Sequence, residues 1–209
     1  MLIAVISYCV PVTVWIFCRY KYKAKYLPLA VGIISYTVLI SPPRALARYV
    51  ILDGLENNRV LYYFIMALLS GVFEEIGRYI VFRYIIPNHD SLTDCFAYGI
   101  GHGAVEIFLT HNIMQNTVWD SLIDADCFIF GILFSSAMSV LVFCSVHYSD
   151  DKKLLYTAII IHTLSDYIAA YLFLDVVDTG VYIVIDKVLL VLICLYSYKV
   201  YRKKSEGFY

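Results

Sequence analysis

The chain has 209 residues, 61% of them hydrophobic and 16% charged, with a mean hydropathy of +0.75. That balance excludes a soluble globular domain and points to a polytopic membrane protein. A formal net charge of -1 excludes nucleic-acid binding driven by bulk charge, and no hydrophilic stretch is long enough for a second unit, so residues 1–209 are expected to form one integral-membrane domain.

The first apolar run, Leu2 to Cys18, is followed at once by Arg19, Lys21, Lys23 and Lys25. A secretory signal carries its positive charge before the apolar stretch, so this reversed order predicts a transmembrane helix with its N-terminus outside. Further spans follow at about Leu27 to Val50, Val60 to Ile86, Asp94 to His111, Phe128 to His147, Leu154 to Leu174 and Val181 to Tyr198. The pattern predicts an all-α, polytopic membrane helix bundle of about seven transmembrane helices, each long enough at about 1.5 Å per residue for a core about 30 Å thick.

With the N-terminus outside, the basic segments Arg19 to Lys25, the loop after Arg83, Lys152 with Lys153, and the tail with Arg202, Lys203 and Lys204 all fall on the cytoplasmic side. Asp53, Glu56, Asp120, Asp124, Asp175 and Asp178 fall outside, with Arg44 and Arg48 lying near that outer face. The positive-inside rule therefore agrees with the count and predicts a cytoplasmic C-terminus.

Pro42 and Pro43 predict a kink in the second span, or a separate helix over Arg44 to Leu52. The six cysteines are scattered singly with no CxxC pair, as reduced small hydrophobes would be. Many of the 20 tyrosines lie near span ends, which suits interfacial anchoring.

Three spans carry ionisable groups at bilayer depth, where charge is costly and generally functional. In Phe73-Glu74-Glu75-Ile76-Gly77-Arg78, Arg78 can reach back to either glutamate along one helix face. A buried ion pair that fixes packing accounts for Arg78 and one glutamate; the second carboxylate has no such structural role. In Gly101-His102-Gly103-Ala104-Val105-Glu106, the histidine and Glu106 are four residues apart, and the flanking glycines permit close approach. His162 and Asp166 repeat that spacing.

Measured from the inferred cytoplasmic ends of their helices, His102, His162 and Arg78 each lie about 12 Å in, with Glu74 and Glu75 about one turn deeper. Three helices thus bring polar groups to one layer in the cytoplasmic half of the bilayer. His89, His111 and His147 fall at span ends or in loops, and Asp186 with Lys187 reads as a structural contact.

Histidines with glutamates suit water activation, by a carboxylate base or through a divalent metal such as zinc. HExxH and GxSxG are both absent.

The ordered set EE..R, Tyr98 to His102, and His162 to Asp166, each on its own helix, resembles the CAAX-protease and bacteriocin-processing superfamily. The FEEIGRY and GHGxxE runs are most similar to its YhfC group of intramembrane metalloproteases, over roughly Val72 to Ala170. The resemblance implies a helix bundle around an intramembrane, cytoplasm-facing site. It implies that Glu74 activates water, that His102 assists, that His162 with Asp166 steadies the oxyanion, and that Glu75 and Arg78 support them.

Two departures stand out: the arginine lies one residue closer than in CAAX proteases, as in the YhfC group, and Asp166 replaces an asparagine. An ionised aspartate only accepts hydrogen bonds, so Asp166 would be protonated, bound to metal, or orienting His162.

The leading expectation is an intramembrane endopeptidase acting on a peptide or small membrane-protein substrate, including a lipidated one. Glu106 supports the site, and Glu74, His102, His162 and Asp166 are the candidate ligands for zinc or another divalent metal. A glutamate-dependent mechanism would need no metal. The alternative is a non-enzymatic bacteriocin-immunity or regulatory protein that uses the same polar layer to bind a partner, with a proton- or cation-coupled transporter ranked below it.

Overall fold

Backbone polar groups have no water to bond inside a bilayer, so a chain this apolar satisfies them within helices. The computed structural model describes residues 2–55, 57–110, 118–148, 152–175 and 179–206. The helices are α1 (Leu2–Tyr22), α2 (Tyr26–Ile34), α3 (Ser41–Leu52), α4 (Arg59–Ile80), α5 (Leu92–Thr110), α6 (Val118–His147), α7 (Lys152–Asp175) and α8 (Thr179–Glu206), with no strand among the described residues.

A π-helical turn over Ser35–Ile40 joins α2 to α3, and a second over Val81–Ile85 extends α4. Tyr26–Leu52 and Arg59–Ile85 are therefore continuous rods of 27 residues each. The protein is a helical membrane bundle whose rods fall on the expected spans. Tyr26–Leu52, Arg59–Ile85 and Asp126–His147 are long and apolar enough to cross a membrane; the buried ionisable groups on α5 and α7 lower the hydropathy of those helices.

Pro42 and Pro43 do not split the second span into separate helices. They occupy the first turn of α3, where a missing N–H costs least. The preceding ladder widens so that the Ser41 N–H bonds to the Tyr36 carbonyl, five residues back. Helix α6 begins at Val118, so Asp120 and Asp124 are helical rather than in a connecting loop, and α8 continues through the basic tail to Glu206. Near that end Arg202 Nε donates to Glu206 at 2.7 Å, one turn on, which supports the extension. Glu56, His111 and Asp178 lie outside the described residues.

Helix α6 is the central pillar, packed against α5, α8, α1 and α7. Met138, Leu141, Val142, Phe143 and Cys144 on it are completely buried. Lipid removes most of the hydrophobic drive for helix association, so contact depends on close packing of small residues. A Cβ on Gly71 of α4 would sit 2.5 Å from Thr163 Oγ1 and 2.9 Å from the Ile159 carbonyl of α7, and one on Gly103 of α5 would lie 2.5 Å from the Gly131 carbonyl of α6.

These contacts set the spacing of the helices that carry the polar residues. Gly71→Val should wedge α4 from α7 and destabilise the bundle by about 1–3 kcal/mol, as overpacking a tight core does. Thermal unfolding in detergent would show the loss as a lowered midpoint relative to wild type.

Candidate functional site

On α4, Glu74, Glu75 and Arg78 have no solvent exposure. Adjacent positions on a helix point about 100° apart, so the two glutamates face different neighbours. Arg78 Nη1 donates to Glu75 Oε1, its Nη2 donates to Ser135 Oγ of α6 at 3.1 Å, and the same nitrogen lies 3.6 Å from Glu74 Oε2.

Glu74 draws partners from three further helices. Arg44 of α3 donates through Nη1 to Glu74 Oε1 and through Nη2 to the Tyr36 hydroxyl. His102 Nε2 of α5 stands 3.3 Å from Glu74 Oε2, and His162 Nε2 of α7 lies 3.8 Å from that same oxygen. His162 Nδ1 is 2.5 Å from Glu75 Oε1, and Asp166 Oδ2 is 3.7 Å from His162 Nε2. Both histidines are buried, whereas the Asp166 side chain keeps 39% of its surface exposed.

Tyr98, His102 and Glu106 recur at four-residue intervals and so share one face of α5. The hydrogen-bond chain there assigns the His102 tautomer. Ser35 Oγ donates its single proton to the Gly32 carbonyl at 3.1 Å, so across the 2.9 Å contact the Tyr98 hydroxyl must donate to Ser35. The Tyr98 oxygen then accepts from His102 Nδ1 at 3.3 Å. In a neutral ring this leaves an Nε2 lone pair facing a carboxylate oxygen, which requires a proton or a cation between them.

The donor set fits a divalent metal. One ligand atom each from Glu74, His102 and Glu106 lies within 4.8 Å of the others, a spread that slight contraction would bring within reach of one zinc at about 2.0–2.2 Å from each. Tyr98 fixes the far side of the imidazole, as outer partners of metal-binding histidines do. Arg44 contacts Glu74 and Arg78 contacts Glu75, and the second oxygen of Glu75 is buried without a hydrogen-bond partner.

The sequence-predicted ligand set differs from this one. Glu106, expected in support, joins Glu74 and His102, whereas His162 has one nitrogen committed to Glu75 and Asp166 lies beyond it.

A family model described as the YhfC intramembrane metalloprotease matches residues 6–126. The chain belongs to the YhfC intramembrane metalloprotease family. The Bacillus subtilis (strain 168) protein named "Uncharacterized membrane protein YhfC" is 27% identical over 110 residues, which is 50% of this chain and 43% of that relative, so the match spans under half of the relative's length. No solved structure matches. The YhfC match contains Glu74, Glu75, Arg78, His102 and Glu106, and His162 and Asp166 lie beyond it. Membership also makes the chain a multi-pass membrane protein, in agreement with its apolar helices.

Arg44 is the residue whose role sequence reasoning missed. It is 5% exposed and paired with Glu74, and Arg48, one turn on, donates to Ser70 Oγ at 2.6 Å. An arginine directly after Pro-Pro within an apolar span was the available signal. Tyr36 and Ser135 carried no signal of their own.

Breaking a buried ion pair from one side strands the other charge, at a cost of about 3–5 kcal/mol. Arg44→Met should lower the unfolding midpoint sharply, and the double variant Arg44→Met with Glu74→Gln should recover part of the loss when both are melted in the same detergent.

Proposed function

We propose that this protein is an intramembrane endopeptidase that hydrolyses a peptide bond in a small membrane protein or membrane-inserted peptide, at the layer formed by Glu74, His102 and Glu106. The observation that carries the reading is the approach of those three donor atoms to within 4.8 Å, with the His102 ring held from behind by Tyr98. The positive-inside pattern puts that layer in the cytoplasmic half of the bilayer.

Glu74 is held by Arg44 and faced by Arg78, which makes it a firm ligand and a weak base. Among the described contacts no arginine hydrogen-bonds Glu106, so its carboxylate is the better proton acceptor. A water between Glu106 and His102 gives its proton to Glu106 as its oxygen attacks the carbonyl carbon. The C–N bond then breaks and the proton passes to the departing amine. A divalent ion held by Glu74, His102 and one oxygen of Glu106, when bound, would acidify that water and polarise the carbonyl, leaving the other Glu106 oxygen as the proton acceptor. Glu75 orients the His162 ring through Nδ1, which leaves Nε2 to donate to the developing oxyanion, with the Asp166 carboxylate nearby.

The test uses a model transmembrane peptide in nanodiscs, with products identified by mass spectrometry. Glu74→Ala would leave the Arg44 guanidinium with neither counter-ion nor acceptor at this position, whereas the near-isosteric Glu74→Gln keeps an amide oxygen for it and is the better probe of chemistry. Glu74→Gln, Glu106→Gln and His102→Ala should each reduce cleavage by about 100-fold or more, with folding checked by thermal melts. Full activity in all three would overturn the assignment.

Purified protein should carry close to one zinc or similar ion per chain by elemental analysis. Tyr98→Phe should weaken metal affinity by about 10–100-fold through loss of its hold on His102.

A further inference from the structure

Beside the polar layer, α5, α6, α7 and α8 enclose a partly open cavity of about 130 Å³. Its walls are mostly apolar and include Phe134, Ile168, Leu189 and Leu190, with Glu106, His162, Ser165, Asp166 and Asp186 as the polar part of the lining. Phe134 forms the boundary: its ring meets the His162 imidazole edge-on, with centroids 5.1 Å apart.

We propose that this cavity is a specificity pocket for one large apolar side chain, of leucine or phenylalanine size, on the substrate residue next to the bond that is cut. The inference rests on the hydrolytic reading above and adds to it a substrate preference.

Volume and lining select the occupant. An apolar cavity of about 150 Å³ holds one benzene molecule, so by size this one suits a single aromatic ring or branched aliphatic side chain. A lipid acyl tail is much longer than the space. Glu106 and His162 line the same space, so a residue seated here brings its own backbone amide to them. Ala169 also lines it and offers room for enlargement.

The experiment uses the full-length chain in phosphatidylcholine nanodiscs and a model transmembrane peptide carrying one photo-leucine, moved position by position. In the Glu74→Gln background, one position should crosslink to pocket residues. Ala169→Trp should reduce that yield at least tenfold, and Ala169→Leu should reduce it less. No pocket crosslink at any position, unchanged yields, or crosslinks confined to exposed residues such as Leu192 and Leu195 would overturn the pocket.

In a parallel arm with Glu74 intact, cleavage should favour Leu or Phe at that position, and Ala169→Trp should shift the preference to Ala. Crosslinking without cleavage by the wild type would sink the hydrolytic reading and leave a side-chain pocket. Cleavage whose preference ignores Ala169→Trp would sink the pocket and leave hydrolysis.

Discussion

The Glu74 carboxylate, wholly removed from solvent inside a membrane bundle, is the constraint from which the rest of the site follows. Burying one ion costs several kcal/mol even after relaxation, and one opposite charge at 4 Å returns about 4 kcal/mol at an effective dielectric constant near 20. A single partner leaves little margin. Glu74 is accordingly met by Arg44, Arg78, His102 and His162, and Arg78 passes the connection on to Ser135. Helices α3, α4, α5, α6 and α7 therefore share one electrostatic junction. In a lipid environment that supplies little hydrophobic drive between helices, the junction also specifies how those helices are arranged.

The fold was largely legible in the sequence because the bilayer allows so few solutions. An apolar run of the right length must be a helix, and the breaks between runs were marked by charge. The members of the polar layer were legible for a related reason: His102, Glu75 and His162 sit where a lipid-facing residue would be apolar, and their helical spacing placed them at one depth. What could not be read was rotation. Charge bookkeeping assigned Arg44 to a membrane face because it lies near a span end, but the direction of its side chain depends on the backbone between Ser35 and Pro43. Glu106 was likewise visible as an acid one turn from His102, yet its approach to Glu74 depends on how α4 and α5 each pack on α6 and on the turn over Ser35–Ile40.

The glycine contacts and the polar layer are two aspects of one design. Gly71 seats α4 directly against Thr163, the residue after His162, so backbone proximity and ion pairing act at the same level of the bundle. Gly103 does the same beside His102. A side chain at either glycine would push apart the elements whose charges need each other.

The π-helical turn over Ser35–Ile40 holds one more residue in its ladder than an α-helix would; it contains Tyr36 and leads into Arg44, the pair whose side chains meet. Each added or removed residue turns everything beyond it by about 100° around the helix axis. The turn thus works as a phase adjuster, delivering Arg44 to the bundle interior although the rod from Tyr26 to Leu52 exposes many apolar side chains, among them Val38, Leu39 and Leu46. Deleting one residue there would leave the hydropathy and every motif intact, yet would present a guanidinium to lipid and leave a carboxylate without its closest counter-ion.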